Sequence, residues 1–154
     1  MKQMRKVTSF KKEPIASELV EAMSRAALSA ASFEESSFFF VFVENDGILE
    51  QMRALADGNA VYAPLAVFAF AKGSPISASH AFMTMCEKAE EEGLGVMFID
   101  WPASLFNDPR HMEMKEAVGV PYGYACIGGG LFGFIETEES LTEDASYQKF
   151  SYIQ

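Results

Sequence analysis

The chain is poor in the residues that build metal centres and covalent cross-links. It has two cysteines and two histidines in 154 residues. Cys86 and Cys126 form no Cys-x-x-Cys pair and share no ligand spacing with His80 or His111, so the pattern predicts no metal site. Both cysteines lie in apolar stretches and read as buried thiols of a reducing compartment, the cytoplasm. No apolar run approaches the ~18 residues that cross a bilayer. The basic N-terminus is followed by no apolar signal core, so no secretory leader is expected. Gly-x-Ser-x-Gly, P-loop and GxGxxG patterns are absent. The run Gly128 to Gly133 lacks the helix that a dinucleotide fingerprint requires after it. Positive charge is also scarce, with 12 Lys and Arg against 22 Asp and Glu. The net charge of −10 argues against general binding to nucleic acid or to anionic membrane.

What the chain does have is core-forming material. Apolar residues make up 49%, which argues against disorder, and 14 phenylalanines bring many flat rings. The length fits one domain, residues 1–154, with a basic arm (1–14) and a C-terminal tail (135–154). Charge is divided unevenly. Lys2, Arg5, Lys6, Lys11 and Lys12 give the first twelve residues +5, and the rest carry −15. Such an arm suits a phosphate or an acidic partner surface; a solvated tail is the alternative.

Periodicity is clearest between Ser77 and Gly95. Ala78, Ala81, Phe82, Met85, Cys86 and Ala89 make an apolar helical stripe, and Gly93 stands where a helix stop needs positive φ. This is either a plain core helix or one that delivers a Gly-Leu-Gly turn to a site. Glu90, Glu91 and Glu92 crowd its negative end. Elsewhere, Ser17 is expected to cap a helix reaching about Ala31, and residues 29–37 read as a loop. Ser37–Glu44 and Leu65–Ala71 read as buried strands, with a turn at Asn45-Asp46-Gly47 and a short helix from Ile48 to about Gly58 between them. The segment Val96–Asp100 is ambiguous between strand and helical turn. Trp101–Asn107 reads as a loop, and Asp108 with Pro109 as the start of a helix reaching about Val118. Tyr122–Phe134 reads as a third strand. Its glycines suggest close approach of a backbone, a bulge or a flat ligand. The tail from Glu136 is acidic, then aromatic at Tyr147, Phe150 and Tyr152, which suits docking on its own or a partner subunit. Strands separated by helices without regular alternation indicate α+β, in two or three layers. His80, on the polar face of the central helix, and His111 read as surface histidines, with titration near neutrality as the alternative.

The order of these pieces resembles the nitroreductase family of FMN-dependent reductases over roughly residues 4–134. MRKVTSFKKEPI resembles the family's basic Arg-Arg-Ser-x-Arg-x-Phe opening, YAPLAVFAFA its Ala-Pro strand, and the central helix ending in Gly93-Leu94-Gly95 its Gly-Leu-Gly turn. VGVPYGYACIGGGLFGF resembles its Gly-Ile-Pro-x-Gly-Tyr run and closing Gly-Tyr strand. The resemblance implies a central, mostly antiparallel sheet flanked by helices in an intertwined homodimer. It also implies FMN between the subunits, reduced by NAD(P)H and reoxidised by a small organic acceptor. Carried over position by position, Arg5 and Lys6 would hold the phosphate, and Thr8 would add a neutral hydrogen bond. Glu34 and Ser36 would stand near the family's amide positions beside the flavin, and Gly93, Leu94 and Gly95 would approach its ring edge. The family's catalytic residues find no assignable match. Two departures stand out. Glu34 puts a carboxylate beside an electron-rich ring, and IETEES supplies acids where the family brings a basic residue. They keep open an alternative, a non-catalytic dimer with a degraded flavin site that binds another small molecule or a partner.

Overall fold

A computed structural model of the chain describes residues 5–30, 37–58, 61–140 and 153. Its elements run β1 (Arg5–Phe10), α1 (Ser17–Ser29), β2 (Phe38–Val43), α2 (Asp46–Leu55), β3 (Leu65–Ala71), α3 (Ile76–Glu91) and β4 (Gly95–Ile99). Then follow α4 (Trp101–Phe106), a 3-10 turn (Pro109–His111), α5 (Met112–Ala117), β5 (Ala125–Gly133) and β6 (Ile135–Ser140). Four strands form an antiparallel sheet in the order β2-β3-β5-β4, and β1 pairs with β6 in a separate antiparallel ribbon.

Strand β3 is central and buried throughout, and its alternation divides the core. Leu65, Val67 and Ala69 pack with α1 and α3; Ala66, Phe68 and Phe70 pack on the other face with α2 and α4. The result is three layers, helix pair on sheet on helix pair. Helix α3 buries Ala78, Ala81, Phe82, Met85, Cys86 and Ala89, the stripe read from the sequence. It closes in a Schellman motif. Leu94 N–H donates to Ala89 O (3.0 Å), Gly93 N–H donates to Glu90 O (3.0 Å), and Gly93 takes φ +91°. Lys88 lies 3.2 Å from Glu92 and 3.9 Å from Glu91, which offsets the acids at the negative helix end.

Several expectations need correction. Ser17 does not cap α1. Ala16 occupies the cap position without a side-chain bond, and its carbonyl accepts from Leu19 and Val20. Asn45 opens α2 as a true cap, accepting from Ile48 N–H, so Asp46 and Gly47 are helical rather than a turn. That helix stops with Asp57 at φ +53°. The expected loop at Trp101 is helix α4. Pro102 sits in its first turn, where no N–H is needed, and Trp101, Pro102, Leu105 and Phe106 are buried. The Trp-Pro pair masked this short period. Phe106 meets Phe68 and Phe70 at centroid distances of 5.2 and 5.1 Å. Val96–Ile99 is strand, paired to β5. Asp108 does cap, accepting from Arg110 N–H, but the helix expected there is split into a 3-10 turn and α5. Strand β5 begins at Ala125, because Pro121–Tyr124 forms a turn with Gly123 at φ +89°. Within the basic arm Arg5–Phe10 is strand β1, and at the acidic start of the tail Ile135–Ser140 is strand β6. Tyr147, Phe150 and Tyr152 lie outside the described residues.

Candidate functional site

The ribbon of β1 and β6 is seated on glycines. Gly95 and Gly133 are directly opposed on β4 and β5. A Cβ on Gly95 would meet the side chains of Ile135 and, at 3.1 Å, Val7; one on Gly133 would meet Pro64 at 2.8 Å and Phe10 at 2.9 Å. Val7, Phe10 and Ile135 therefore enter space that only glycine leaves open. Lys11 N–H donates to Phe134 O at 2.9 Å and continues the attachment. The ribbon is thus held, through Val7 and Ile135, against Gly95, two residues beyond the turn that ends α3.

Within that turn the three candidates have different surroundings. Leu94 is buried in the α1–α3 core, and Gly95 is covered by Val7 and Ile135. Gly93 alone of the three is open, with nothing within 4 Å of where a Cβ would be. The tripeptide's glycines are thus explained by a helix stop and by internal packing, and its exposed backbone is that of Gly93. The other strand glycines follow the same logic. Gly129 lies against Val67 O and the Phe68 ring, Gly130 receives Phe82, and Gly128 stands at a bulge opposite Ala69. Of the three causes offered by the sequence, close packing and a bulge account for them.

On β1, Val7 and Phe10 are buried and Lys6 is exposed, with Thr8 and Ser9 half-buried. The register slips between Val7 and Ser9, so Thr8 and Ser9 together face Thr137 of β6. Thr137 Oγ1 lies 2.6 Å from both Thr8 Oγ1 and Ser9 Oγ. Lys6 is opposed by Glu139. Directly opposed residues share a face, so an acid borders the cation, yet among the described residues Lys6 makes no ion pair. Arg5 is opposed by Ser140. Glu34 and Ser36 lie outside the described residues. Lys12 leaves this region, with Nζ 5.8 Å from the centre of the Tyr62 ring. The signal sequence reading missed is the pairing of β1 with β6. Basic, hydroxyl and acidic residues line an exposed ribbon with no apolar period.

Three clefts among the described residues measure about 230, 260 and 180 Å³. They lie beside Trp101 and Arg53, beneath the phenylalanines of β2, and between Lys12 and Glu44; none is lined by Lys6, Thr8 or Gly93. The residues fit the phosphate end of a flavin mononucleotide, through a lysine without an ion pair among the described residues and a hydroxyl cluster. They do not by themselves enclose its ring, since ligand clefts usually reach ~300 Å³ or more.

Burial raises the Cys86 thiol to about 12, with Glu90 and Glu87 adding to the effect. Burial likewise raises Cys126 to about 11. Both are inert rather than nucleophilic. Arg110 holds Asp108 down to about 2 through side-chain and backbone hydrogen bonds, forming a local turn lock. His80 is exposed, and His111 has Nδ1 2.9 Å from Leu105 O, a packing role. Among the described residues no cluster of His, Cys, Asp or Glu could hold a metal ion, and no helix is long and apolar enough to cross a membrane.

The chain has a nitroreductase-like fold. It is similar to a nitroreductase with bound FMN from Desulfitobacterium hafniense (TM-score 0.77, 19% identity), covering 99% of this chain and 95% of that one. A nitroreductase with bound FMN from Bacteroides fragilis gives TM-score 0.75 at 16% identity, over 97% and 94% of the two chains. An FMN-dependent nitroreductase from Clostridium difficile gives 0.72 at 22% identity, also over 97% and 94%. No family model and no curated protein matches the sequence.

Proposed function

We propose that the protein is an FMN-dependent oxidoreductase of the nitroreductase kind, a cytoplasmic homodimer that takes electrons from NAD(P)H and passes them to a small organic acceptor. The observation that carries this reading is the seating of basic β1 on Gly95 and Gly133, beside the open Gly93 turn, within a nitroreductase-like fold. Structures of similar fold hold FMN.

In this reading Arg5 and Lys6 neutralise the phosphate, Thr8 donates a hydrogen bond to it, and the Gly93 backbone borders the ring. Glu34 and Ser36 are assigned to the family's amide positions beside the flavin. FMN, when bound, supplies the hydride and electron chemistry, and the protein orients it and excludes water. A second subunit completes the enclosure. Support for it comes from the small clefts of the single chain and from Ile76, Met83 and Phe98, exposed by 75, 46 and 58% on α3 and β4.

The alternative, a scaffold without cofactor, is favoured by Glu139 opposite Lys6. The two readings separate in one assay. The full chain with saturating FMN is given NADH or NADPH and a nitroaromatic acceptor. FMN-dependent oxidation of the nicotinamide, with apparent FMN affinity weakened about tenfold or more in Lys6→Glu, supports the enzyme. Wild-type protein that stays inactive at saturating FMN refutes it.

A further inference from the structure

We propose that Thr137 on β6 is a positioning residue for the anion site on β1, aiming the Thr8 hydroxyl at a phosphate bound beside Lys6. This rests on the flavin reading above and deepens it. Thr137 Oγ1 is 2.6 Å from Thr8 Oγ1 and 2.6 Å from Ser9 Oγ, short distances for O–H···O bonds. Each hydroxyl has one proton to donate and lone pairs to accept with. Two bonds among three hydroxyls use two protons and leave one donor free. Donation from Ser9 to Thr137 and from Thr137 to Thr8 leaves the free proton on Thr8.

An anion selects that direction. The slipped register turns both Thr8 and Ser9 toward Thr137, while the flanking Val7 and Phe10 stay buried beneath. Thr8 is then the hydroxyl nearer in sequence to Lys6 on the exposed side of β1. A phosphate attracted by the ammonium accepts from Thr8, and each upstream hydroxyl in the chain polarises the next. Without Thr137 the Thr8 hydroxyl loses the partner that fixes its rotor. The role belongs to β6, a strand whose acidic composition conceals one hydroxyl placed against two.

Riboflavin, which shares the ring of FMN but lacks its phosphate, separates this role from a structural one. Equilibrium binding of both flavins to the full chain is read by quenching of flavin fluorescence. Thr137→Val is expected to raise the FMN Kd about tenfold, the worth of one hydrogen bond to a charged group, and leave the riboflavin Kd unchanged. Thr137→Ser keeps wild-type selectivity. Thr8→Val, which spares Thr137, gives the same loss, and the double variant adds nothing further. If T137V, or T8V where T137V does not fold, keeps the wild-type FMN-to-riboflavin ratio, the inference is overturned while the flavin reading stands. Wild-type protein that binds neither flavin overturns both.

Discussion

Gly129 and Gly93 are glycine for opposite reasons, and they separate packing from backbone conformation. A Cβ on Gly129 would lie 2.7 Å from the Val67 carbonyl oxygen and 3.1 Å from the Phe68 ring, neither free to move. Gly129→Ala is expected to cost about 2–3 kcal/mol by overpacking. At Gly93 the space is open but φ is +91°, so Gly93→Ala costs about 1–2 kcal/mol from conformation alone. Urea unfolding at unchanged m checks both. The glycine run was legible in the sequence as a close approach. Its partners were not, because Val67, Phe68, Phe82 and Phe10 come from distant segments. The thiols give a third expectation. With pKa values near 12 and 11, Cys86 and Cys126 resist a thiol reagent in the native protein and react fully on unfolding. Both values lie above the ordinary 9.0, so these groups favour folding below about pH 9, and that contribution is lost as pH rises through 11 and 12. Midpoints of urea unfolding that stay constant across this window would contradict the burial of the thiols.

At the scale of elements, the strongly periodic pieces were legible. The stripe of α3 and the continuous apolar run of β3 match the structure because burial alone decides them. The Schellman stop was legible because Gly93 is the residue that such a stop selects. Helix α4 and the β1–β6 ribbon were not, for different reasons. Helix α4 has only six residues, too few to display a period, and carries a proline at its second position. The ribbon buries Val7 and Phe10 and half-buries Ile135, so its polar residues resemble two unrelated tails. A further link was invisible to pattern. The Asn107 side chain donates to Cys126 O (2.9 Å) and accepts from Cys126 N–H (2.8 Å), acting as one residue of strand beside the start of β5. Asn107→Ala is expected to lose about 1–2 kcal/mol in chemical denaturation, with Asn107→Asp failing to restore it, since a carboxylate cannot donate. On the ribbon, Glu139 faces the Lys6 position and competes with a bound anion. Glu139→Gln is expected to tighten FMN about two- to threefold at low salt, with the difference vanishing at high salt. Tightening that is insensitive to salt would contradict a charge effect.

At the scale of the molecule, a chain of net charge −10 includes a short basic strand fastened to its sheet. Three layers fix that strand beside a helix stop, with Gly93 left uncovered. The fold was legible from the order of motifs, since Ala63-Pro64, Gly93-Leu94-Gly95 and Pro121-Tyr122-Gly123 each mark a turn between core elements. For the candidate site, the sequence pointed to β1 and the glycine turn; the pairing of β1 with β6 and the inward burial of Leu94 and Gly95 were not legible, because they depend on contacts between distant segments. The most direct measurement is gel filtration of the full chain with added FMN, reading protein and flavin absorbance together. The expected result is yellow protein at the dimer volume with about one flavin per chain, the flavin being lost in Lys6→Glu. Colourless protein with FMN in excess would contradict the account.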